Sequence, residues 1–444
     1  MTTAPVAAPA PNPDDLLRRE LGVRQLAAAI FNYTVGSGIF VLPGVVAAQL
    51  GPAAVLAYLV CAVVMTLVAT CLAEAGSRVA ASGGPYAYVE AAMGPLPGFV
   101  AGVLNVAADI VTAAAIATIF AGSVAAMTGM SSVAVKVVVI LSVFATVAAV
   151  NIRGVSKGVR LIEALLTAKL APLLLFVVVG AAFVHPANLA WPSTPSPASV
   201  LGTAGVLLFA FTGMEAALQP SGEVRAPART VPRAALVAIG GITAFYIAIH
   251  LVAQGVLGAD LARDQVAPLA TAAASFMGPA GRTMMLATVI VSIFGTLCGQ
   301  VLAGPRTLFA FGRDGLAPRS LAHVHASFRT PHVAIVTYAA LSAALAISGT
   351  FERLVILSNV GALSVYLMSA ISAWMLRRRD VRTRGEPFVA PGGPLVPLLT
   401  CAAVGWMLAA TATRLEWIAL AIVVSIALAI YALRARRIVA NRLN

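Results

Sequence analysis

Apolar runs of about 20 residues or more recur along almost the whole chain, and this feature constrains the fold more than any other. A helix needs about 20 apolar residues to cross the hydrocarbon core of a bilayer. Membrane-spanning strands are about 10 residues long and alternate in polarity, so runs of this length exclude a barrel of strands. The sequence therefore predicts an all-α protein that crosses the membrane many times.

Composition excludes several other classes. Of the 444 residues 60% are hydrophobic and 10% are charged, and the mean hydropathy is +0.95, whereas about 25% of the residues in soluble domains are charged. A net charge of +13 would suggest nucleic-acid binding in a soluble chain. Here the basic residues lie in short segments between apolar runs, so we expect a lipid bilayer and no nucleic acid as partner.

Neither metal chemistry nor ATP hydrolysis is indicated. The four cysteines all fall inside apolar runs and are too scattered for a disulfide framework or a zinc site. No G-x-x-x-x-G-K-[S/T] motif is present, which argues against a self-contained ATP-driven pump. No paired acids or metal-spaced clusters indicate an enzyme. We therefore expect no cofactor, no metal and no catalytic residues.

The apolar runs predict twelve membrane spans and an orientation. The spans lie at residues 24–48, 53–76, 97–127, 133–150, 158–184, 198–220, 233–257, 281–311, 332–349, 353–376, 394–412 and 415–434. Of the 29 basic residues, 23 fall on the side of the termini and 5 on the opposite side. Because Lys and Arg accumulate on the cytoplasmic side, both termini are predicted to be cytoplasmic, and residues 1–20 to form a disordered tail.

Two spans carry glycine-rich interruptions at corresponding positions. Gly36 and Gly38 flank Ser37 in the first span, and Gly213 lies in the sixth. Backbone that leaves a helix inside a membrane must line a cavity or be covered by protein. Paired interruptions in two halves of a chain indicate the substrate site of a transporter. The alternative is that each glycine only permits close helix packing.

Five motifs occur in order along the chain. They are Gly36-Ser37-Gly38-Ile39-Phe40 with Pro43; Ser82-Gly83-Gly84-Pro85-Tyr86-Ala87-Tyr88 after Glu74 and Arg78; Asn151 to Lys157; Gly213-Met214-Glu215 followed by Glu223 and the stretch Pro227 to Pro232; and Arg313-Asp314-Gly315-Leu316-Ala317-Pro318 followed by Arg329-Thr330-Pro331. In these motifs the chain resembles the amino acid–polyamine–organocation (APC) permease family, over nearly its whole length.

This resemblance implies a leucine-transporter-type fold. Two inverted repeats of five helices, at about 21–184 and 198–376, would form a transport core at 21–376, with helices 1 and 6 broken. Two further helices and a cytoplasmic C-terminus would occupy 377–444. The implied function is secondary active transport of an amino acid by alternating access, in a bacterial-type inner (plasma) membrane.

The resemblance also implies a midplane site built from backbone atoms. The substrate carboxylate would contact the N–H groups of Ser37, Gly38 and Ile39, and the substrate ammonium would contact the carbonyl oxygens of Thr34, Phe209 and Thr212. The electrostatics of helix ends favours the same contacts independently of the resemblance. A half-helix that begins after a break presents free N–H groups to an anion, and carbonyls at the end of the preceding half-helix suit a cation.

Lys169 is an ionisable residue at membrane depth, about 12 residues or roughly 18 Å beyond Lys157. That depth is too great for its stem to reach the near interface easily. A buried lysine can release its proton, so Lys169 is a candidate proton carrier. The resemblance implies that its ammonium takes the place of a coupling sodium ion between helices 1, 5 and 8. The alternative is a permanently charged tether to the broken first helix.

Four other residues are candidates for the site. Asp109 either faces the substrate side chain, favouring a cationic substrate, or pairs with Lys169 or Lys136, or bonds between helices. Glu215 belongs by family position to a cytoplasm-side gate, or caps the second half of helix 6. Phe209, at the family's aromatic gate position, and Gln300, which could contact the substrate side chain, complete the set. His250 is expected to be a satisfied helix–helix contact.

The mode of transport is predicted less directly than its class. Proton-coupled symport through Lys169 is the first hypothesis. The alternative is an obligate exchanger of amino acids or amines, an antiporter with cationic substrates if Asp109 faces them. A channel or nutrient sensor on the same scaffold is a further alternative.

Overall fold

The structure of the chain is a computed structural model that describes residues 21–36, 38–79, 81–128, 132–218, 223–264, 267–348, 351–382, 386–411 and 414–443. The predicted tail at 1–20 lies outside these ranges. Within them the secondary structure is helical apart from one isolated β-bridge between Leu21 and Val224. The all-α prediction is confirmed for the part of the chain that is described.

Sixteen α-helices are described. They are α1 (Val23–Thr34), α2 (Gly38–Leu50), α3 (Ala54–Arg78), α4 (Pro85–Met93), α5 (Pro95–Thr128), α6 (Val133–Ile152), α7 (Val155–Gly180), α8 (Pro197–Phe211), α9 (Met214–Ala217), α10 (Pro227–Leu257), α11 (Pro268–Ala303), α12 (Pro305–Arg313), α13 (His332–Ser348), α14 (Phe351–Arg378), α15 (Leu395–Thr411) and α16 (Arg414–Leu443).

Many of these helices can cross a membrane. In the described ranges seven helical segments are long and apolar enough, at Gly38–Arg78, Pro95–Thr118, Val133–Ile152, Glu163–Phe183, Pro227–Arg263, Pro268–Arg313 and Val360–Arg378. Four shorter apolar helices lie at Pro197–Leu208, His332–Ser348, Leu395–Ala410 and Trp417–Leu433. The chain is thus a multi-pass membrane protein. The count of twelve spans and the inverted repeat stay predictions.

Both glycine-rich interruptions break their helices. The first break separates α1, which ends at Thr34, from α2, which begins at Gly38. The second separates α8, which ends at Phe211, from α9, which begins at Met214. Gly213 between them has φ +110°, a conformation that side-chain-bearing residues rarely adopt. The glycines therefore do more here than permit close packing.

The eighth predicted span is less regular than its apolar pattern suggests. α11 contains Gly278 with φ 63°, so the membrane-depth part begins at Pro279 after a kink. A second boundary lies between Gly304 and Pro305, where α11 gives way to α12. Proline has no N–H to donate to the preceding turn, which explains why one apolar run becomes two helices.

Two of the sequence motifs meet in space although 228 residues separate them. α4 lies in the segment that the sequence predicts as a loop, and it begins at Pro85, a favourable first residue for a helix. The Tyr86 hydroxyl donates to Asp314 Oδ2 at 2.7 Å. The Arg313 guanidinium donates to both carboxylate oxygens of Asp314, at 2.7 and 2.8 Å. This contact fixes α4 against the segment that follows α12.

A buried carboxylate joins three further segments at the same end of the bundle. Glu74 on α3 accepts hydrogen bonds from the guanidinium groups of Arg78 and Arg377 and from the backbone N–H of Ala390. Arg377 lies near the end of α14. In the structure it ties α14 to α3, because a buried carboxylate must be paired.

Backbone hydrogen bonds join the segment before α1 to the segment after α9. Leu21 N–H donates to the Glu223 carbonyl at 3.1 Å, and Arg225 N–H donates to the Leu21 carbonyl at 2.8 Å. The Glu223 carboxylate accepts from Arg306 Nε on α12 at 2.8 Å, and both side chains are fully buried. These contacts tie the segment before α1 and the segment after α9 to α12.

Glu223→Gln is expected to lower the free energy of unfolding in detergent by about 3 to 5 kcal/mol, because it leaves the Arg306 guanidinium buried without its counter-charge. Scanning fluorimetry and denaturant unfolding measure the loss. The matched control is Asp260→Asn, whose partner Arg263 is 81% exposed, and which should cost about 0 to 1 kcal/mol. If the two substitutions lower the free energy of unfolding equally, the buried Glu223–Arg306 pair contributes no more to stability than an exposed pair does.

Candidate functional site

The two helix breaks lie against one another. A Cβ added at Gly38 would lie 3.3 Å from the Ala210 Cβ, and one added at Gly213 would lie 3.3 Å from the Tyr33 carbonyl oxygen. The backbone freed from α1 and α8 is thus gathered at one place, as the paired interruptions predict. Glycine at these two positions lets the two backbone segments approach each other this closely.

Tyr246 on α10 holds both breaks. Its side chain is fully buried, and its hydroxyl lies 2.8 Å from the Thr34 carbonyl oxygen and 3.0 Å from the Ala210 carbonyl oxygen. These carbonyls belong to the ends of α1 and α8, where the helical acceptors would otherwise be unpaired. The single hydroxyl proton is shared between a carbonyl at the end of α1 and one at the end of α8.

Some of the backbone groups predicted to contact a zwitterion lie in the described residues at the first break. Ser37 lies outside the described residues, whereas Gly38 and Ile39 form the first turn of α2 and present its free N–H groups. The Thr34 carbonyl already accepts from Gly36 N–H at 2.8 Å and from Tyr246, so an ammonium there would share or displace these donors. The contacts to a substrate stay a prediction.

The other predicted carbonyl contacts lie on the second break. Thr212 directly follows α8 and donates its N–H to the Leu208 carbonyl at 3.1 Å. Phe209 lies in the last turn of α8, and its side chain is outside the described part of the chain. Both backbones are therefore placed at the break, where the family resemblance implies them to be.

Lys169 reaches the first break from α7. Its side chain is fully buried, and Nζ donates to the Asn32 carbonyl at 2.8 Å and to the Val35 carbonyl at 2.6 Å. These oxygens stand at the end of α1, where the helix dipole favours a positive charge. The ammonium therefore occupies a position that is made of backbone carbonyls, as a bound metal cation would.

Hydroxyl groups of α11 complete the surroundings of Lys169. The Ser292 hydroxyl lies 3.2 Å from both the Val35 and the Gly36 carbonyl oxygens, between which it shares its one proton, and the Thr296 hydroxyl lies 3.4 Å from the Asn32 carbonyl oxygen. Helices α1, α7 and α11 thus meet around one ammonium. They are the first, fifth and eighth predicted spans, between which the resemblance places this group.

Asp109 is buried on α5 and takes part in hydrogen bonds between side chains. Its Oδ2 accepts from Asn105 Nδ2 at 3.0 Å, and its carbonyl oxygen accepts from the Tyr338 hydroxyl at 2.9 Å. The first bond lies within α5 and the second joins α5 to α13. The bond between helices is made by the backbone of Asp109, and the roles predicted for its carboxylate stay predictions.

Glu215 accepts hydrogen bonds from two groups that belong to different parts of the chain. Its Oε2 accepts from the backbone N–H of Gly213 at 3.1 Å, which places the carboxylate at the start of α9, as a cap would be. The same oxygen accepts a short hydrogen bond from the Tyr366 hydroxyl of α14. The second bond ties the broken sixth span to α14, and the gating role of Glu215 stays a prediction.

The remaining candidates are buried polar groups. Gln300 is 5% exposed, and its Oε1 has no hydrogen-bond partner among the described residues. His250 packs its ring against that of Tyr58, with centroids 5.2 Å apart. Both of its ring nitrogens lack a hydrogen-bond partner within the described ranges. The expectation of a satisfied histidine is wrong, although the helix–helix contact is present.

Sequence reasoning missed Tyr246 and Tyr366. Each is a lone tyrosine in an apolar run, and such a residue has no local signal that separates a packing role from hydrogen bonding. Spacing from the breaks does not reveal them, because the bonds of Tyr246 and Tyr366 to the broken helices span 36 to 212 residues. Only the packing of α10 and α14 against the breaks identifies them.

Comparisons with known proteins add the family context. A family model described as amino acid permease matches residues 21–433. The chain is 29% identical to a methylthioribose transporter of Bacillus subtilis, over 95% of this chain and 94% of that protein. It is 27% identical to a branched-chain amino acid permease of the same bacterium, over 86% and 85%, and 29% identical to its serine/threonine exchanger, over 90% and 92%.

Tyr246→Phe is expected to destabilise the protein by about 1 to 3 kcal/mol, because the buried carbonyls of Thr34 and Ala210 lose the one hydroxyl proton that they share. Tyr58→Phe is the matched control. Tyr58 is equally buried, but its hydroxyl has no hydrogen-bond partner among the described residues, so the change should be neutral or stabilising. Thermal unfolding in detergent compares them. An equal loss for both variants would argue against a role of the Tyr246 hydroxyl.

Proposed function

Because the chain belongs to the amino acid permease family, we propose that it is a secondary transporter that carries an amino acid and a proton in the same direction by alternating access. The observation that carries this proposal is the position of Lys169, whose Nζ bonds to two carbonyls of the broken first span. The chain is a transporter and not an enzyme, as its family and relatives show.

In this proposal the proton on Lys169 controls the shape of the substrate site. Protonated Lys169 donates to the Asn32 and Val35 carbonyls and holds the break between α1 and α2 in place. Such charge-assisted hydrogen bonds are about twice as strong as neutral ones. Loss of the proton weakens them and releases the end of α1. Proton binding and an ordered substrate site are thereby linked.

The substrate is proposed to be a zwitterion bound mainly by backbone atoms. Its carboxylate binds the N–H groups at Ser37, Gly38 and Ile39, and its ammonium binds the carbonyls of Thr34, Phe209 and Thr212. The geometry that supports this is the meeting of the free end of α2 with the end of α8. Two relatives are named for amino acid substrates.

Side chains around this site are proposed to select and enclose the substrate. Asp109 and Gln300 contact the side chain of the substrate, and Phe209 and Glu215 act as gates. The bond between Glu215 and Tyr366 supports gating, because it joins the broken sixth span to α14. The unpartnered Oε1 of Gln300, within the described part of the chain, supports a ligand contact.

We place the protein in the plasma membrane with twelve spans, arranged as two inverted five-helix repeats in 21–376 and two further helices in 377–444, with both termini in the cytoplasm. The apolar helices and the uneven distribution of basic residues support this arrangement. In this orientation the Glu223–Arg306 pair closes the cytoplasmic side.

The alternative mode is obligate exchange of amino acids or amines, in which Lys169 stays charged and only tethers α1. A serine/threonine exchanger is among the relatives, so the two modes must be separated by experiment. Cationic substrates would follow if the Asp109 carboxylate faces the substrate.

The decisive measurement is uptake of labelled compounds into proteoliposomes that contain the purified protein. The panel contains branched-chain amino acids, serine, threonine, lysine, arginine and methylthioribose, each with and without an inward proton gradient. We expect gradient-driven accumulation of an amino acid in empty vesicles. Uptake only into preloaded vesicles, indifferent to the gradient, would establish exchange, and uptake of methylthioribose alone would refute an amino acid substrate.

Lys169→Ala is expected to abolish gradient-driven accumulation, because no proton-binding group then reaches the Asn32 and Val35 carbonyls. Lys136→Ala is the matched control, since Lys136 is exposed at the start of α6 and should leave accumulation unchanged. Accumulation that persists in Lys169→Ala would remove the coupling role from this residue.

Asp109→Asn tests the substrate-facing role of that carboxylate. If Asp109 contacts a cationic side chain, the substitution raises the KM for lysine or arginine about tenfold or more, the loss expected for one charged hydrogen bond of about 1.5 to 3 kcal/mol. Uptake of neutral amino acids should change little. Asp260→Asn, at an exposed acid, is the control. A uniform loss for all substrates would instead indicate a structural role between helices.

A further inference from the structure

Three of the five histidines of the chain lie within ten residues, around the start of α13. They are His323, His325 and His332, and the predicted orientation places this part of the chain on the cytoplasmic side. The His325 and His332 rings meet edge to face with centroids 5.3 Å apart, and His323 acts electrostatically on His332. The structure thus gathers imidazoles that the proposed transport mechanism does not use.

His325 closes a tight turn through one of its ring nitrogens. Its Nδ1 accepts hydrogen bonds from the backbone N–H groups of Ser327 and Phe328, each at 3.2 Å. The Phe328 ring stacks on the imidazole, with centroids 4.5 Å apart. A ring nitrogen accepts a hydrogen bond only when it carries no proton. The closed turn therefore requires a neutral His325 with its proton on Nε2.

Backbone hydrogen bonds extend this turn to Thr330. The His325 N–H donates to the Thr330 carbonyl at 2.8 Å, and the Arg329 N–H donates to the His325 carbonyl at 2.9 Å. Arg329 has φ +56°, a conformation that residues with a side chain rarely adopt. The turn at 325–330, here named the histidine turn, thus contains a strained residue that the contacts of His325 hold in place.

Thr330 joins the histidine turn to the helix that carries Lys169. The Thr330 side chain is fully buried, and its hydroxyl donates to the Ile152 carbonyl at 2.7 Å. Ile152 is the last residue of α6, and α7 begins two residues later at Val155. The junction between α6 and α7 is therefore tied to the histidine turn by a buried hydrogen bond.

The charged side chains of the elements around the histidine turn are mostly basic. They are Arg153, Arg313, Arg319 and Arg329, together with Asp314, which pairs with Arg313. A proton on Nδ1 of His325 would add positive charge among these groups and two further imidazoles. In the closed turn it would also point at two N–H groups. Protonation of His325 is therefore less favourable in the closed turn than in an open, hydrated one.

We propose that the histidine turn is a pH-sensitive clasp, which holds the α6–α7 junction while His325 is neutral and releases it when the cytoplasm becomes acidic. Histidine is the residue type that changes its charge between about pH 5 and pH 8. The closed turn binds fewer protons than the open one, so a fall in pH favours the open turn. His325 is half-buried and can exchange protons with the cytoplasm.

Release of the junction affects transport through Lys169, and this step rests on the proposed function. The Lys169 Nζ reaches the Asn32 and Val35 carbonyls only while α7 keeps its position beside α1. When the start of α7 is released, these bonds form less often and fewer molecules hold an ordered substrate site. A symporter delivers protons to the cytoplasm with its substrate, so the clasp slows transport when these protons accumulate.

Amide hydrogen exchange of the full-length protein in lipid nanodiscs tests the clasp without a substrate. The two places followed are the histidine turn, at Ser327 and Phe328, and the α6–α7 junction, at Arg153 and Gly154. Protection is expressed relative to the intrinsic exchange rate at each pH. Between about pH 7.5 and about pH 5.5 we expect protection at both places to fall about tenfold, the factor that the loss of one or two hydrogen bonds supplies.

Two substitutions separate the acceptor of His325 from its charge. Asparagine offers an oxygen that accepts from backbone N–H groups farther along a turn, and it does not titrate. His325→Asn should therefore show the same protection at both pH values, whereas His325→Ala, which has no acceptor, should show low protection at both. His185→Asn is the matched control, since His185 is exposed on the opposite predicted side, and it should respond to pH like the parent.

Thr330→Val tests the connection to α6. The substitution removes the hydroxyl that bonds to the Ile152 carbonyl. It should lower protection at the α6–α7 junction at both pH values and leave the pH response of Ser327 and Phe328 unchanged. A junction that still follows pH in Thr330→Val would overturn the connection through Thr330.

The outcomes of these measurements separate the clasp from the transport mechanism. Melting temperatures at both pH values show that each variant is folded. Protection in the parent that does not change with pH, or an equal pH response in His325→Asn, would overturn the clasp. Gradient-driven uptake of the amino acid identified by the panel is then measured at both internal pH values. Internal acid should slow the parent more than His325→Asn, and equal slowing would overturn the regulatory role. Failure of gradient-driven uptake in the parent would refute symport and leave the exchange result in place.

Discussion

The contact between the Lys169 ammonium and the carbonyls at the end of α1 is the interaction on which the rest of this structure depends. A helix cannot stop in the middle of a membrane unless its last carbonyls find partners. Two of them find one in Lys169, fully buried on α7. A charge at this depth is expensive, and the backbone oxygens and the helix end that surround Lys169 lower that cost. The carbonyls at the end of α1 thus stabilise the buried ammonium, and the ammonium supplies the hydrogen-bond donors that these carbonyls need.

The second break follows the same principle, with a tyrosine hydroxyl and a glutamate side chain as partners. Tyr246 bonds to a carbonyl at the end of each broken helix, and Glu215 accepts the N–H of Gly213. The unpaired backbone therefore lies in a shell of side chains from α7, α9 and α10. This shell makes a binding site for small polar molecules compatible with a lipid environment, because little polar backbone is left facing hydrocarbon.

Much of the architecture could be predicted from sequence because its signals are local. Apolar length predicts helices, glycine clusters predict their breaks, and Lys169 is conspicuous in an apolar run. The partners of these groups are not local. Arg306 pairs with Glu223 across 83 residues of sequence, and Tyr366 bonds to Glu215 across 151 residues. No periodicity in the sequence predicts contacts at such separations. His250 shows the converse, since the sequence predicts a satisfied group and the packing leaves both ring nitrogens unpaired among the described residues.

The sequence by itself determined the class of this protein, the helical breaks and the residue types that can face them, because hydrophobicity and backbone freedom are properties of single residues and short runs. Only the tertiary structure decided which groups meet. It placed Lys169 on the end of α1, Tyr246 between the two breaks, and the glycines of α11 beneath Asn32 and Tyr33. The reason is physical: a hydrogen bond requires atoms within about 3 Å, and helix packing, not chain spacing, sets that distance.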